Sequence, residues 1–204
     1  MKSQAIVIGA GGHARVVGAA LSALGVGVAG YFDDSFDGAE EVICDASLIG
    51  SLEDTLRFDT DSYDAYVAIG DNKKRADVVE HMRRAGYALP ALVHPMSRLE
   101  RNCRVGEASN VCIGAILGSQ VRIGKGVIVN TGSSVDHESM ISDFAHLAPG
   151  AVLGGRVRVG EGAFIGIGAR VAEKLSIGSG AVVGAGTVVL RDVADGARVV
   201  GIHH

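Results

Sequence analysis

From Leu99 onward an aliphatic residue returns at every sixth position: Leu99, Val105, Val111, Leu117, Ile123, Val129, Val135, Ile141, Leu147, Leu153, Val159, Ile165, Val171, Ile177, Val183 and Val189, which is 16 positions without a miss. The residue after each is often Gly, as at 106, 118, 124, 154, 160, 166, 178 and 184. The fourth after is mostly small, as at Ser109, Ala115, Ser133, Ser139, Ala145, Ala163 and Thr187. A helix repeats at 3.6 residues and a half-buried strand at two, so neither accounts for a period of six. One large and one small inward residue per unit predicts a parallel β-helix, in which each hexapeptide forms one flat wall of a triangular prism. Three walls make a coil of 18 residues, so residues 18 apart stack. The run spans a little over five coils, about 25 Å of prism at the usual strand spacing.

The first half follows a different rhythm. Ala5–Ile8 is a buried-strand run ending in Gly9-Ala10-Gly11-Gly12-His13-Ala14, and Arg15–Leu24 reads as a helix. Val26–Phe32 is a second strand that stops at Asp33-Asp34; Ala65–Ile69 is a third, running into Gly70-Asp71-Asn72 and then a helix over Lys74–Ala85, with Val78, Val79 and Met82 on one face. Alternating strands and helices predict a parallel sheet whose carboxyl ends share one edge, where Gly9, Asp33 and Gly70 converge. The domains are therefore residues 1–93, a small α/β Rossmann-like half domain, and residues 94–204, the β-helix. Pro95 keeps the backbone extended at the junction.

The glycine turn has a chemical meaning. Its bare backbone, with the helix start behind it, lets N–H groups reach an anionic phosphate. A carboxylate at the end of the second strand suits a ribose or a base. G-x-G-x-x-A followed by acids about 20 residues on has the form of a dinucleotide fingerprint. The unit ends near residue 92, however, about half of the usual two-part dinucleotide fold. A single nucleotide such as the UDP of a sugar nucleotide fits it better than NAD, and a tight turn with solvated acids is the bland reading of the same residues.

Composition narrows the classes. The 204 residues are 48% hydrophobic and 21% charged, with a formal net charge of −4, which offers no general attraction for nucleic acid. The longest early apolar run, Ala5–Ile8, is too short for a signal segment or a membrane span, so a soluble, cytoplasmic protein is expected. Cys44, Cys103 and Cys112 have neither CxxC nor zinc-ribbon spacing, and Cys103 falls where a small packed residue belongs. The terminal pair His203 and His204 is set aside.

Two stretches of the prism break its bland repeat: Asn130-Thr131-Gly132-Ser133-Ser134-Val135-Asp136-His137-Glu138 and Phe144-Ala145-His146-Leu147-Ala148-Pro149-Gly150. An imidazole oriented by a carboxylate acts as a base near neutrality, and His137 lies between Asp136 and Glu138. Adding 18 to 137 gives Gly155, which stacks on His137 with a bare N–H. A base beside an N–H donor is the minimal apparatus of acyl transfer: one takes the proton of the nucleophile and the other steadies the oxyanion. His146 is half a coil further on and points from a different side, so the two histidines meet only between prisms packed around a threefold axis. A zinc site of three histidines would lack its third ligand, because His94 is too far down the coils.

With these residues in place, the chain resembles the hexapeptide-repeat acyltransferases of the sialic acid O-acetyltransferase type, and within them the bacterial N-acetyltransferases of UDP-4-amino sugars, as in bacillosamine synthesis. The likeness rests on the GAGGHA turn, the YFDD strand end, VAIGDN, VHP, NTGSSVDHE and AHLAPG. It implies a left-handed β-helix, a homotrimer, acetyl-CoA as cosubstrate in the groove between prisms, no metal, and a nucleotide sugar held by the first domain. His137 resembles the general base and Glu138 the group that raises its basicity. Asn130 and His146 match site residues near the acetyl group, the Gly155 amide a thioester contact, and Gly166 and Ile167 contacts to the CoA arm. Gly11, Gly12, His13, Asp33, Asp34 and Gly70 match the nucleotide-sugar pocket. The family commonly ends in a Gly-x-Pro-Ala-type tail, whereas this chain ends Val200-Gly201-Ile202-His203-His204, so no CoA contact is assigned there. The same base and groove would serve a sugar hydroxyl. A nicotinamide enzyme and a noncatalytic trimeric scaffold are the other classes, and the polar cluster at 130–138 counts against the scaffold.

Overall fold

A computed structural model describes residues 2–39 and 41–204 and divides into two compact units, Met1–Pro95 and Met96–His204. No helix among the described residues is long and apolar enough to cross a membrane.

The first unit contains β1 (Gln4–Ile8), α1 (Gly12–Ala23), β2 (Gly27–Phe32), β3 (Val42–Ile43), β4 (Ala46–Gly50), β5 (Asp64–Val67) and α2 (Asn72–Arg84). The strand order is β3-β4-β2-β1-β5, and all neighbours are parallel except β3 and β4. Strand residues alternate between faces, so Ala5 and Val7 pack with Ala14, Val17 and Leu21 of α1 in one core cluster. Each fully buried valine or leucine among them is worth about 1.5–3 kcal/mol.

Two features depart from the sequence reading. The sheet has five strands rather than three, because Val42–Gly50 folds into a short antiparallel pair turning at Cys44, whose φ is 53°. α1 also begins at Gly12, three residues before the expected Arg15, because the glycine turn itself supplies the first helical turn.

The second unit is a left-handed parallel β-helix. Its first wall stacks the strand pairs that begin at Arg98, Ile116, Ser134, Val152, Arg170, Val188 and Ile202. The second wall stacks those beginning at Arg104, Arg122, Met140, Arg158 and Ser176. The third stacks those beginning at Asn110, Ile128, His146, Phe164, Val182 and Arg198. Register partners are 18 residues apart through Val189, and every aliphatic rung from Val111 to Val189 is at most 4% exposed. The small fourth residues, Ala115, Ser133, Ala145 and Ala163 among them, are fully buried.

The glycines after the rungs serve close approach: a Cβ at Gly154 or Gly166 would stand 2.8 or 2.6 Å from a backbone nitrogen of the next coil. The left-handed residue of each turn comes two positions later, three after the rung. In the corner between third and first walls that place is held by Gly114, Gly132, Gly150, Gly168 and Gly186. In the corner between first and second walls it is held by Asn102, Gln120, Glu138, Arg156 and Lys174, with φ between 59° and 62° for the last three. A side chain in that conformation costs about 1–2 kcal/mol, so this corner accepts strain to present a column of long polar arms.

Candidate active site

That strained corner carries the residues singled out for acyl transfer. The backbone N–H of His137 donates to Asp136 Oδ1 at 2.7 Å, which fixes the turn. His137 Nδ1 is 2.9 Å from Glu138 Oε2, and the carboxylate is the acceptor there, so Nδ1 is the donor and Nε2 is the nitrogen left for other chemistry. Arg156 Nε donates to the same Glu138 oxygen at 3.0 Å, with Nη2 also at 3.0 Å. The hydrogen bonds from Arg156 and from His137 hold the Glu138 carboxyl below its ordinary range. The site residue missed from sequence is Arg156, and the stacking rule finds it directly, since 138 plus 18 is 156.

Gly155 lies beneath the imidazole: a Cβ there would stand 2.6 Å from His137 Nε2 and 2.7 Å from Cε1. The carbonyl of Gly155 accepts from Lys174 N–H, while its own N–H finds no acceptor among the described residues. The structure thus brings His137, Glu138 and Gly155 together, with Arg156 behind them.

A second cluster forms on a different side of the prism. Asn130 Nδ2 and His146 Nε2 are 3.2 Å apart, with the amide as donor, and His146 is 9% exposed. Phe164, one coil beyond His146, meets the imidazole edge to face at 5.1 Å between centroids. Gly166 and the exposed Ile167 lie two coils above Asn130 on the same corner. His137 and His146 therefore do not meet within one chain, and the wall between the two corners exposes Ile116 and Val152 on either side of Ser134. Cys112 is buried, which pushes its thiol up to about 12, away from any nucleophilic role. Among the described residues no group of three His, Cys, Asp or Glu side chains is placed to hold a metal ion.

In the first unit, Gly11, Gly12, His13, Asp33, Asp34 and Gly70 all line one depression of about 550 Å³ at the carboxyl edge of the sheet. Gly11 caps α1 without a side-chain bond, and a Cβ on Gly11 or Gly12 would meet nothing within 4 Å, so the start of the helix is uncrowded. Asp33 is tied to its own loop. Oδ2 accepts the Ala10 N–H at 2.9 Å, and Oδ1 accepts the Ser35 N–H and hydroxyl at 2.9 and 2.7 Å. Burial alone would raise its pKa; the bonds from Ser35 and Ala10 and the nearby Lys74 outweigh that and lower it.

Two cations that the sequence reading passed over shape this edge. Lys74 lines the depression. Arg75 is fully buried and donates to the carbonyls of Ile69 and Gly70 at 3.0 Å each, which fixes the Gly70 turn.

Comparison with known proteins extends this geometry. Residues 4–82 match the PglD N-terminal domain family, and residues 156–191 match the bacterial transferase hexapeptide family. The chain is similar to the acetyltransferase domain of PglB from Neisseria gonorrhoeae, solved with acetyl coenzyme A, at 34% identity over 98% of this chain and 97% of that one, TM-score 0.93. It is similar to a variant of perosamine N-acetyltransferase from Caulobacter crescentus, solved with CoA and GDP-perosamine, at 35% identity over 97% and 93%, TM-score 0.92. WeeI from Acinetobacter baumannii matches at 29% identity over 97% of each chain, TM-score 0.89.

Proposed function

Since the chain belongs to the hexapeptide-repeat sugar N-acetyltransferases, we propose that it moves the acetyl group of acetyl-CoA onto the amino group of a nucleotide-linked 4-amino-4,6-dideoxy sugar. The observation that carries this reading is the imidazole of His137, whose Nδ1 is committed to Glu138 while Nε2 packs over Gly155, a residue whose own N–H finds no acceptor among the described residues. The amine nitrogen attacks the thioester carbon, and the carbonyl π electrons move onto oxygen, where the Gly155 N–H meets them. His137 Nε2 takes the proton from nitrogen. Collapse of the oxyanion then expels CoA as its thiolate, and the imidazolium returns the proton to sulfur. No covalent enzyme intermediate is needed.

Asn130, His146, Gly166 and Ile167 line the path of the CoA arm in this reading, and the depression at Gly11, Gly12, His13, Asp33, Asp34 and Gly70 takes the nucleotide sugar. The half-sized α/β unit suggests a single nucleotide, and the resemblance to UDP-4-amino-sugar N-acetyltransferases suggests that it is UDP. The two polar clusters occupy different corners, and the wall between them exposes Ile116 and Val152; a homotrimer would join one corner to the other across neighbouring prisms. A mass-shift assay with acetyl-CoA and UDP- or GDP-linked amino sugars, against their hydroxyl analogues, tests the reading. A gain of one acetyl group on the amino sugar is expected. Acetylation of the hydroxyl analogue alone would reassign the enzyme to O-transfer.

Two further outcomes follow from the site. Asp33→Ala removes charge-assisted hydrogen bonds worth about 1.5–3 kcal/mol in loop bracing. The KM for nucleotide sugar should rise about tenfold while that for acetyl-CoA holds. Unchanged nucleotide affinity by calorimetry would separate the depression from the substrate.

The second outcome concerns pH. Glu138 is held anionic by the hydrogen bonds from Arg156 and His137, which lower its pKa. Arg156→Met removes the largest cause of that lowering, so an acid limb of kcat/KM set by protonation of Glu138 moves upward, and Glu138→Gln abolishes that limb. Profiles that do not move in either variant would uncouple the carboxylate from the base.

A further inference from the structure

We propose that Arg104 and Arg122 form a binding site for a diphosphate beside the His137–Glu138 pair. The two arginines are direct register partners on adjacent coils of the second wall, and both are exposed. Like charges placed opposite one another across a strand pair destabilise a sheet. The ion pairs among the described residues engage Arg15, Arg57, Arg83, Arg84, Arg98 and Arg156, and they leave Arg104 and Arg122 out. Arg122 also borders a second depression with Asp143 and Glu161, but neither carboxylate forms an ion pair with it, so two exposed arginines one coil apart call for an anion from outside.

The surroundings fit an oxyanion. Arg104 and Arg122 line a depression of about 500 Å³ together with Asn102 and Gln120, the strained arms of the corner, and with Glu138. Guanidinium forks match phosphate oxygens two at a time, and the carboxamides of Asn102 and Gln120 add further donors. Glu138 is the one carboxylate in the described lining, and it is already held by Arg156 and His137. It closes the depression toward the base without neutralising the arginines.

The inference rests on the acetyl-transfer reading, in which both cosubstrates carry a diphosphate. Position favours the nucleotide sugar. Gly155 and Gly166 lie on the coils beyond His137 toward Val189, whereas Arg104 and Arg122 lie on the coils toward Leu99. The diphosphate of the acceptor is bonded directly to the sugar that must reach His137.

The test uses the full chain with Arg104→Gln, Arg122→Gln and the double change. Titration calorimetry with inorganic pyrophosphate, UDP, GDP and CoA reads binding without turnover, so it decides this site even if acetyl transfer to an amino sugar were never observed. Each substitution should weaken pyrophosphate binding about tenfold or more, since a hydrogen bond to a charged group is worth about 1.5–3 kcal/mol. The unliganded variants should melt no lower than the parent, because the change relieves repulsion. In steady state the nucleotide-sugar KM should rise by a similar factor with kcat unchanged and the acetyl-CoA KM steady. A rise in the acetyl-CoA KM instead would assign the site to the diphosphate of CoA. Pyrophosphate binding and both KM values equal to those of the parent would overturn the proposal.

Discussion

Replacing His137 with alanine is expected to lower kcat about 10²–10⁴-fold, the range a positioned general base supplies. The side chain is 46% exposed and lies on a turn, outside the aliphatic interior, so the β-helix should melt where the parent does. Affinity for CoA and for the nucleotide sugar, read by calorimetry, should survive, because neither depends on the imidazole as its main contact. His137→Gln, which keeps a polar group of similar reach but no base, should be as slow as alanine. Turnover near the parent rate in either variant would remove the proposed mechanism.

Gly155→Ala should cost about 10²-fold or more in kcat from a single methyl group. The added carbon would stand 2.6 Å from Nε2 of His137, closer than any real contact, so the ring must move away from the place where the thioester carbon and the oxyanion donor meet. Misplacement of a catalytic group by about 1 Å is worth a loss of that size, and disturbing an oxyanion donor costs a comparable factor. The φ angle at Gly155 is not among the positive ones, so alanine fits its backbone and the fold should hold. A variant with parent-like kcat would show that the imidazole does not work from its place over Gly155.

These two residues also show what was legible from sequence. The period of six needs no propensity argument, because the rungs from Val111 to Val189 recur at one spacing and each is buried; the walls and register follow. The step of 18 then placed Gly155 under His137 before any coordinates. The same step applied to Glu138 reaches Arg156, whose role is less legible because an arginine transfers no proton and acts only by holding the carboxylate that it meets in the fold. In the α/β unit the signals are weaker. Val42–Ile43 is two residues long and turns at a cysteine with positive φ, a position where composition gives no hint of a strand. Arg75 went unread because arginine is seldom fully buried; its place under the Gly70 turn follows from carbonyls that only the folded loop presents.

The corner that carries Asn102, Gln120, Glu138, Arg156 and Lys174 is graduated like a ruler, one mark per coil and about 4.8 Å between marks. Removing one whole coil would shift an arm by a single mark and leave its neighbours folded, whereas removing one residue would throw every later wall out of phase. The spacing between His137, Gly155 and the Arg104–Arg122 pair is therefore adjustable only in whole steps, and the proposed mechanism would reject by length alone a cosubstrate whose reacting groups fall between marks.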